Sequence, residues 1–146
     1  MNFHTSNYRV PYADTDQMGV VYYANYLVYF ERSRTEMLRD CGLPYSVCEE
    51  LGFFLPVVDV RCHYYAPAHY DELITFESAV VKMHGVKLTI ASRVRCGEKL
   101  LVAGEVDLVC VNHQRRPVRI PTQMVEACQK YMIKNNDELR PYNDCK

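Results

Sequence analysis

The chain has almost no net charge: 17 Lys and Arg against 18 Asp and Glu in 146 residues leave a formal charge of −1. Such a balance offers no field to hold nucleic acid or an anionic membrane. No apolar run approaches the ~20 residues needed to cross a bilayer. The opening residues, Met1-Asn2-Phe3-His4-Thr5, lack a basic n-region and an apolar h-region, so no signal peptide is expected and the cytoplasm is the default location. No Cys-x-x-Cys occurs among Cys41, Cys48, Cys62, Cys96, Cys110, Cys128 and Cys145. Their odd count and wide spacing argue against a disulfide framework and against a zinc site. Most sit in apolar surroundings, where cysteine behaves as a small hydrophobe. Cys145, in a polar tail, is expected to be exposed and open to artefactual cross-linking. No two of His4, His63, His69, His84 and His113 stand at a metal-ligand spacing such as i, i+4 on a helix, so no metal site is expected. Repeats, linkers and low-complexity stretches are absent too, and the chain reads as one domain, 1–146, large enough to bury an ordinary core.

What is present is a change of period along the chain. Residues 3–12 read as a strand, with Tyr8, Val10 and Tyr12 alternating with Arg9 and Pro11. From about Ala24 to Cys41 the apolar residues Tyr26, Leu27, Phe30, Met37, Leu38 and Cys41, with Arg34, fall at helical spacing, which predicts the longest helix in the protein. Asn25 is a candidate N-cap and Gly42 a natural C′ residue. Pro44 to Leu51, closed by Gly52, predicts a short second helix. Val58, Val60, Cys62 and Tyr64 then alternate with Asp59, Arg61 and His63. Leu73 to Val111 reads as a three-strand antiparallel meander with turns at Gly85 and Gly97-Glu98, and with a bulge near Ser78-Ala79. The last strand, Leu100 to Val111, is the most continuously apolar and is expected at the sheet centre. Pro121-Thr122 precedes a last helix from Gln123 to about Ile133, and Lys134 to Lys146 is a polar end expected to fray. A strand, a long helix and a run of strands indicate an α+β domain with a helix against an antiparallel sheet.

The chemistry concentrates in Tyr12-Ala13-Asp14-Thr15-Asp16-Gln17-Met18-Gly19-Val20-Val21-Tyr22-Tyr23-Ala24-Asn25-Tyr26. Two acids lie just ahead of a helix start. A helix start offers free N–H groups and a partial positive charge, which suit an oxygen that becomes anionic during reaction. A carboxylate beside it can serve as base or nucleophile. On residue types alone, Asp14 and Asp16 also fit loop carboxylates bonding nearby N–H groups, and Tyr22, Tyr23 and Tyr26 fit aromatic packing.

Asp14-Thr15-Asp16, Gly19-Val20-Val21, Asn25-Tyr26 and Phe30-Glu31-Arg32-Ser33-Arg34-Thr35-Glu36-Met37-Leu38 resemble the signature of hotdog-fold acyl-CoA thioesterases of the 4-hydroxybenzoyl-CoA thioesterase type. The likeness is nearest to the branch found with Tol–Pal genes. It continues through Pro67 and Asp71 to Arg116-Pro117-Val118-Arg119-Ile120-Pro121 and so covers most of the chain. The resemblance implies a sheet wrapped around one long helix. It implies that Asp16 attacks the thioester carbonyl or activates water, and that the backbone N–H of Tyr23 polarises that carbonyl. A histidine is common at the position of Tyr23 in the Tol–Pal branch, so no acid–base role is expected of its side chain. Asp14 is expected to hold the loop by hydrogen bonds.

Tyr26, Phe30 and Tyr64 are expected to line the acyl tunnel, and Arg115 and Arg116 to meet the phosphates of coenzyme A. For those arginines an ordinary solvated turn is the competing reading. A thioester has weak resonance and a good leaving group, so a lone carboxylate with an oxyanion site suffices, without a Ser-His-Asp set and without a cofactor. The implied substrate is an acyl-CoA or an acyl-carrier-protein thioester. The implied assembly is a dimer or a tetramer of such dimers. A non-catalytic acyl-CoA- or acyl-carrier-protein-binding module on the same fold is the alternative. A hotdog dehydratase fits poorly, since the helix offers Glu31 and Glu36 but no histidine.

Overall fold

A computed structural model describes residues 3–133; the expectations for Lys134 to Lys146 and for Cys145 lie outside this range. Five strands form one antiparallel sheet: β1 (His4–Arg9), β2 (Val57–Tyr64), β3 (Leu73–His84), β4 (Lys87–Cys96) and β5 (Lys99–Val109). Their order in space is β1-β3-β4-β5-β2. The helices are α1 (Asn25–Asp40), α2 (Tyr45–Glu50) and α3 (Thr122–Ala127), with 3₁₀ turns at Tyr12–Asp14 and Cys128–Tyr131.

The long helix forms where the period of 3.6 predicts it, and Tyr26, Tyr29, Phe30, Ser33 and Met37 are its buried stripe against the sheet. Its ends show what sets its length. Gly42, at φ +79°, follows the last turn; its N–H donates to the Arg39 carbonyl at 3.0 Å and the Leu43 N–H to the Leu38 carbonyl at 2.8 Å. This double closure satisfies carbonyls that the helix end leaves open. Gly52, at φ +80°, closes α2 in the same way, with bonds from Gly52 N–H to Glu49 O and Phe53 N–H to Cys48 O. The start differs from the expectation. Ala24 takes the N-cap place, and the Asn25 amide instead donates to the Asp14 carbonyl at 2.9 Å, tying the helix to the loop before it.

Side chains of the helix and sheet interlock at two points. Ser33 Oγ lies 2.5 Å from Ser78 Oγ, which lies 3.0 Å from Ser92 Oγ, a buried polar chain in which every hydroxyl has a partner. Further along, Gly104 lets Phe30 reach β5: a Cβ there would stand 2.6 Å from Phe30 Cε2 and 2.5 Å from the Arg61 carbonyl oxygen. Phe30 is therefore a core residue, 1% exposed, and its burial is worth roughly 2–3 kcal/mol.

Several boundaries differ from those the sequence suggests. β1 stops at Arg9, because Val10 turns to pair with the β3 approach (Val10 N–H to Glu72 O, Asp71 N–H to Val10 O) and Pro11 opens the 3₁₀ turn. The centre of the sheet is β4, not β5. β4 is buried on both faces because Phe3, with Ala79, Ala91 and Ile133, covers its outer side. The irregularity in β3 lies between Val80 and Lys82, where β1 has ended and the Ile133 N–H takes the free Val80 carbonyl at 2.9 Å. The last helix is only α3 followed by a 3₁₀ turn. Met124 and Cys128 still face the core as expected. β2 is the other edge, and its residues Val57, Val58 and Val60 are exposed.

Candidate active site

The loop between β1 and α1 is built on Asp14. Its Oδ2 accepts hydrogen bonds from the Tyr8 hydroxyl at 2.8 Å and the Tyr29 hydroxyl at 2.7 Å. Its carbonyl accepts the Tyr22 N–H at 2.9 Å as well as the Asn25 amide. One residue thus fastens β1, the loop and α1 together. Burial, then the bond to Asp14, raises the pKa of both phenols, so each stays protonated as a donor.

Asp16 stands at the mouth of a tight turn. Its N–H donates to the Val20 carbonyl at 2.9 Å, and the Gly19 N–H returns to the Asp16 carbonyl at 3.0 Å. Gly19 adopts φ +76°, a conformation that other residues rarely take. One carboxylate oxygen, Oδ1, accepts the Met18 N–H at 2.9 Å; no other described group bonds the carboxylate. The turn leans on the segment before β3 through the Val20–His69 bridge and through the Val21 N–H, which donates to the Ala68 carbonyl at 2.8 Å. Glu72 braces that segment. Its Oε1 accepts the His69 N–H at 2.6 Å and lies 2.7 Å from His69 Nδ1, while Oε2 accepts the Cys96 thiol at 3.1 Å.

Asp16 lines a cleft of about 360 Å³ together with Met18, Val20, Tyr23, Tyr26, Tyr64 and Pro67. Tyr23 precedes the α1 N-cap, and neither its backbone N–H nor that of Ala24 bonds a described residue. The Tyr64 hydroxyl donates to the Tyr23 carbonyl at 2.9 Å, which fixes the peptide at this corner. Tyr26 is buried, and its hydroxyl accepts the Ala68 N–H at 3.3 Å. Its ring meets that of Tyr64 edge-on at 5.5 Å. Burial raises both phenols, Tyr64 to about 12, so neither is a base near neutral pH. The cleft therefore offers a carboxylate with spare lone pairs, an aromatic wall, and Tyr23, whose backbone N–H bonds no described residue.

The remaining residues singled out from the sequence lie elsewhere. Phe30 sits behind the cleft in the core, under β5. Arg115 and Arg116 belong to the turn after β5, where Asn112 Oδ1 accepts the Gln114 and Arg116 N–H groups and Arg115 adopts φ 62°. Arg115 lines a different cleft, with Tyr45, Phe54, Pro56 and His113. Sequence reasoning missed the bracing pair His69 and Glu72 and the phenols that hold Asp14. The i, i+3 spacing of His69 and Glu72 was the available signal; the partners of Asp14 come from two elements whose pairing no local pattern shows. Among the described residues no three His, Cys, Asp or Glu side chains group so as to hold a metal ion. No helix among them is long and apolar enough to cross a membrane.

Residues 10–128 match the family model described as the thioesterase-like superfamily. The acyl-CoA thioester hydrolase YbgC of Escherichia coli is 36% identical over 121 residues, 80% of this chain and 89% of that protein. The 4-hydroxybenzoyl-CoA thioesterase of a Pseudomonas species is 25% identical over 139 residues, 85% of this chain and 96% of that protein. Among solved structures, a probable thioesterase from Bartonella henselae superposes with a TM-score of 0.78 at 34% identity, covering 82% of this chain and 99% of that one.

Proposed function

The chain belongs to the thioesterase-like superfamily and has its hotdog fold, and from that premise we propose that it is an acyl-CoA thioesterase, hydrolysing an acyl-CoA to the free acid and coenzyme A with Asp16 as the reacting carboxylate. The observation that carries this reading is the shared cleft: a carboxylate bonded at only one oxygen, beside the uncommitted N–H of Tyr23. The relatives whose names state acyl-CoA thioester hydrolysis support the substrate class.

In this mechanism the thioester carbonyl oxygen sits toward the Tyr23 N–H, which stabilises the charge that develops on it. The Asp16 carboxylate either attacks the carbonyl carbon, forming a mixed anhydride that water then hydrolyses to free the acid and restore the carboxylate, or takes a proton from the water that attacks directly. The C–S bond breaks, coenzyme A leaves as thiolate and is protonated, and water supplies the oxygen of the acid. No cofactor enters. Tyr26 and Tyr64 flank the acyl group, with Phe30 behind them, and Arg115 and Arg116 are assigned to the nucleotide phosphates. The enzyme is proposed to work in the cytoplasm as a homo-oligomer, a dimer or a tetramer of dimers. The long edge of β2, with Val58 58% exposed, supports pairing with a second copy.

The test is thiol release from a panel of short, medium, long and benzoyl-type CoA esters, run in parallel on Asp16→Asn. Turnover lost in the variant supports the reading. Equal turnover in both would refute the role of Asp16. Saturable ester binding without thiol release would transfer the protein to the binding-module class.

A further inference from the structure

The corner that carries the Tyr23 N–H is held at two carbonyls, one on each side of the Tyr23 Cα. The Tyr22 carbonyl, which shares a peptide with that N–H, accepts the Asn25 N–H at 2.9 Å. The Tyr23 carbonyl is held less well by its own segment. In a continued helix it would accept the Leu27 N–H, four residues on. That N–H goes instead to the Ala24 carbonyl at 3.2 Å, and the Tyr26 N–H reaches the Tyr23 carbonyl only at 3.4 Å, beyond the usual N–H···O range. The lone pair left open is taken by the Tyr64 hydroxyl at 2.9 Å, from a strand 41 residues along the chain.

Tyr64 is mounted to keep that bond in place. It is the last residue of β2, paired with Val102 of β5, and the next two N–H groups, of Tyr65 and Ala66, donate to the Leu101 carbonyl at 2.8 and 3.1 Å. The buried Tyr26 ring meets its ring edge-on. Burial keeps the hydroxyl protonated near neutral pH, so it stays a donor. The bond therefore ties a loosely held corner to a strand of the sheet. Any swing about the Tyr23 Cα re-aims the N–H, and an oxyanion donor acts only through its placement.

We propose that Tyr64 is a positioning residue: its hydroxyl, by holding the Tyr23 carbonyl, fixes the direction of the Tyr23 N–H toward the thioester oxygen, while its ring alone meets the acyl group. This rests on the hydrolase reading and on the oxyanion role given there to the Tyr23 N–H.

The experiment compares thiol release from the ester panel by the wild type, Tyr64→Phe and Tyr64→Leu. Tyr64→Phe keeps the ring and loses the hydroxyl, so kcat should fall at least ~5-fold with KM within about twofold. Tyr64→Leu loses both, so it should show the same fall in kcat and a KM raised at least ~3-fold. Thermal melts report whether each variant folds. The direct readout is the infrared carbonyl stretch of the fastest ester, carrying carbon-13 at the carbonyl and bound to Asp16→Asn, which holds it unhydrolysed. A hydrogen bond to the carbonyl oxygen lowers that frequency, so adding Tyr64→Phe should raise it. Full kcat in a folded Tyr64→Phe, or a carbonyl band that does not move, would overturn the role. So would a loss confined to KM, which would make the hydroxyl a direct contact with the acyl group. Absence of thiol release by the wild type would overturn the hydrolase reading and this role with it. Wild-type turnover that Tyr64→Phe leaves intact would overturn this role alone.

Discussion

Asp14 and Asp16 stand two residues apart in one loop and live in opposite surroundings. Asp14 faces inward, where two phenols share its Oδ2 and an N–H and an amide share its carbonyl. Asp16 stays at the mouth of the turn, and its carboxylate accepts a single N–H from its own loop. The same side chain is a fastening in one place and a reagent in the other. What separates them is where their partners come from: Asp14 is held by phenols of two other elements, whereas Asp16 bonds only its own loop and lines the cleft. A carboxylate tied to side chains of two other elements serves as an anchor, whereas one that lines a cleft and bonds only its own loop is free to meet a substrate.

The sharpest way to break this comparison is to neutralise each acid in turn. Asp16→Asn should lower kcat by at least ~10²-fold, since it removes the base or nucleophile, with a change in stability within about 0.5 kcal/mol. Asp14→Ala should do the reverse in character. It leaves two phenols without an acceptor and should cost about 3–4 kcal/mol in urea unfolding. If Asp14→Ala unfolds like the wild type, the fastening role is wrong.

A finer cut is Tyr29→Phe, expected to cost about 1.5–2 kcal/mol, the worth of a hydrogen bond to a carboxylate. Tyr8→Phe removes the partner bond on the same oxygen. Because both phenols serve one acceptor, the double variant should not equal the sum of the single ones, and a double-mutant cycle measures the departure. Strict additivity would mean that the two bonds act independently and that Asp14 is not the shared anchor.

Much of this architecture is legible from local pattern alone. The stripe of Tyr26, Phe30 and Met37 marks α1, and Gly42 and Gly52 mark where α1 and α2 must stop, because those signals are carried by neighbours in sequence. The meander from Leu73 is legible for the same reason. What stays hidden depends on partners far along the chain. β5 reads as central because it is apolar, yet β4 takes the centre once Phe3 and Ile133 cover its outer face. Phe30 reads as pocket lining because nothing local shows that Gly104 opens a seat for its ring. The two acids are visible as a motif. Their division of labour is not, because it is decided by Tyr8 and Tyr29 on separate elements.

Glu72 falls between the two aspartates and sets the smallest of the expected effects. Like Asp14 it is held from outside its own turn, by the Cys96 thiol on one oxygen, with the His69 N–H and Nδ1 on the other. Like Asp16 it is partly exposed, at 33%. The Cys96 thiol holds its carboxyl below the ordinary carboxylate range; burial opposes it, and the bonds and charge of His69 add to the lowering. A carboxyl lowered on folding contributes stability that is present above its unfolded pKa, about 4.3 for Glu, and is lost as the pH falls through the folded value. The exposure of the pair keeps that contribution small. Glu72→Gln should therefore unfold at slightly lower urea than the wild type near neutral pH. The gap should close as the pH drops below about 4.3. Because the Asp16 turn rests on His69 and Ala68, the same variant should lower turnover modestly, with kcat reduced more than KM is raised. A stability gap that persists unchanged in acid would mean that the carboxylate is not what braces this segment. The turn carrying Asp16 would then be held by its backbone bridges alone.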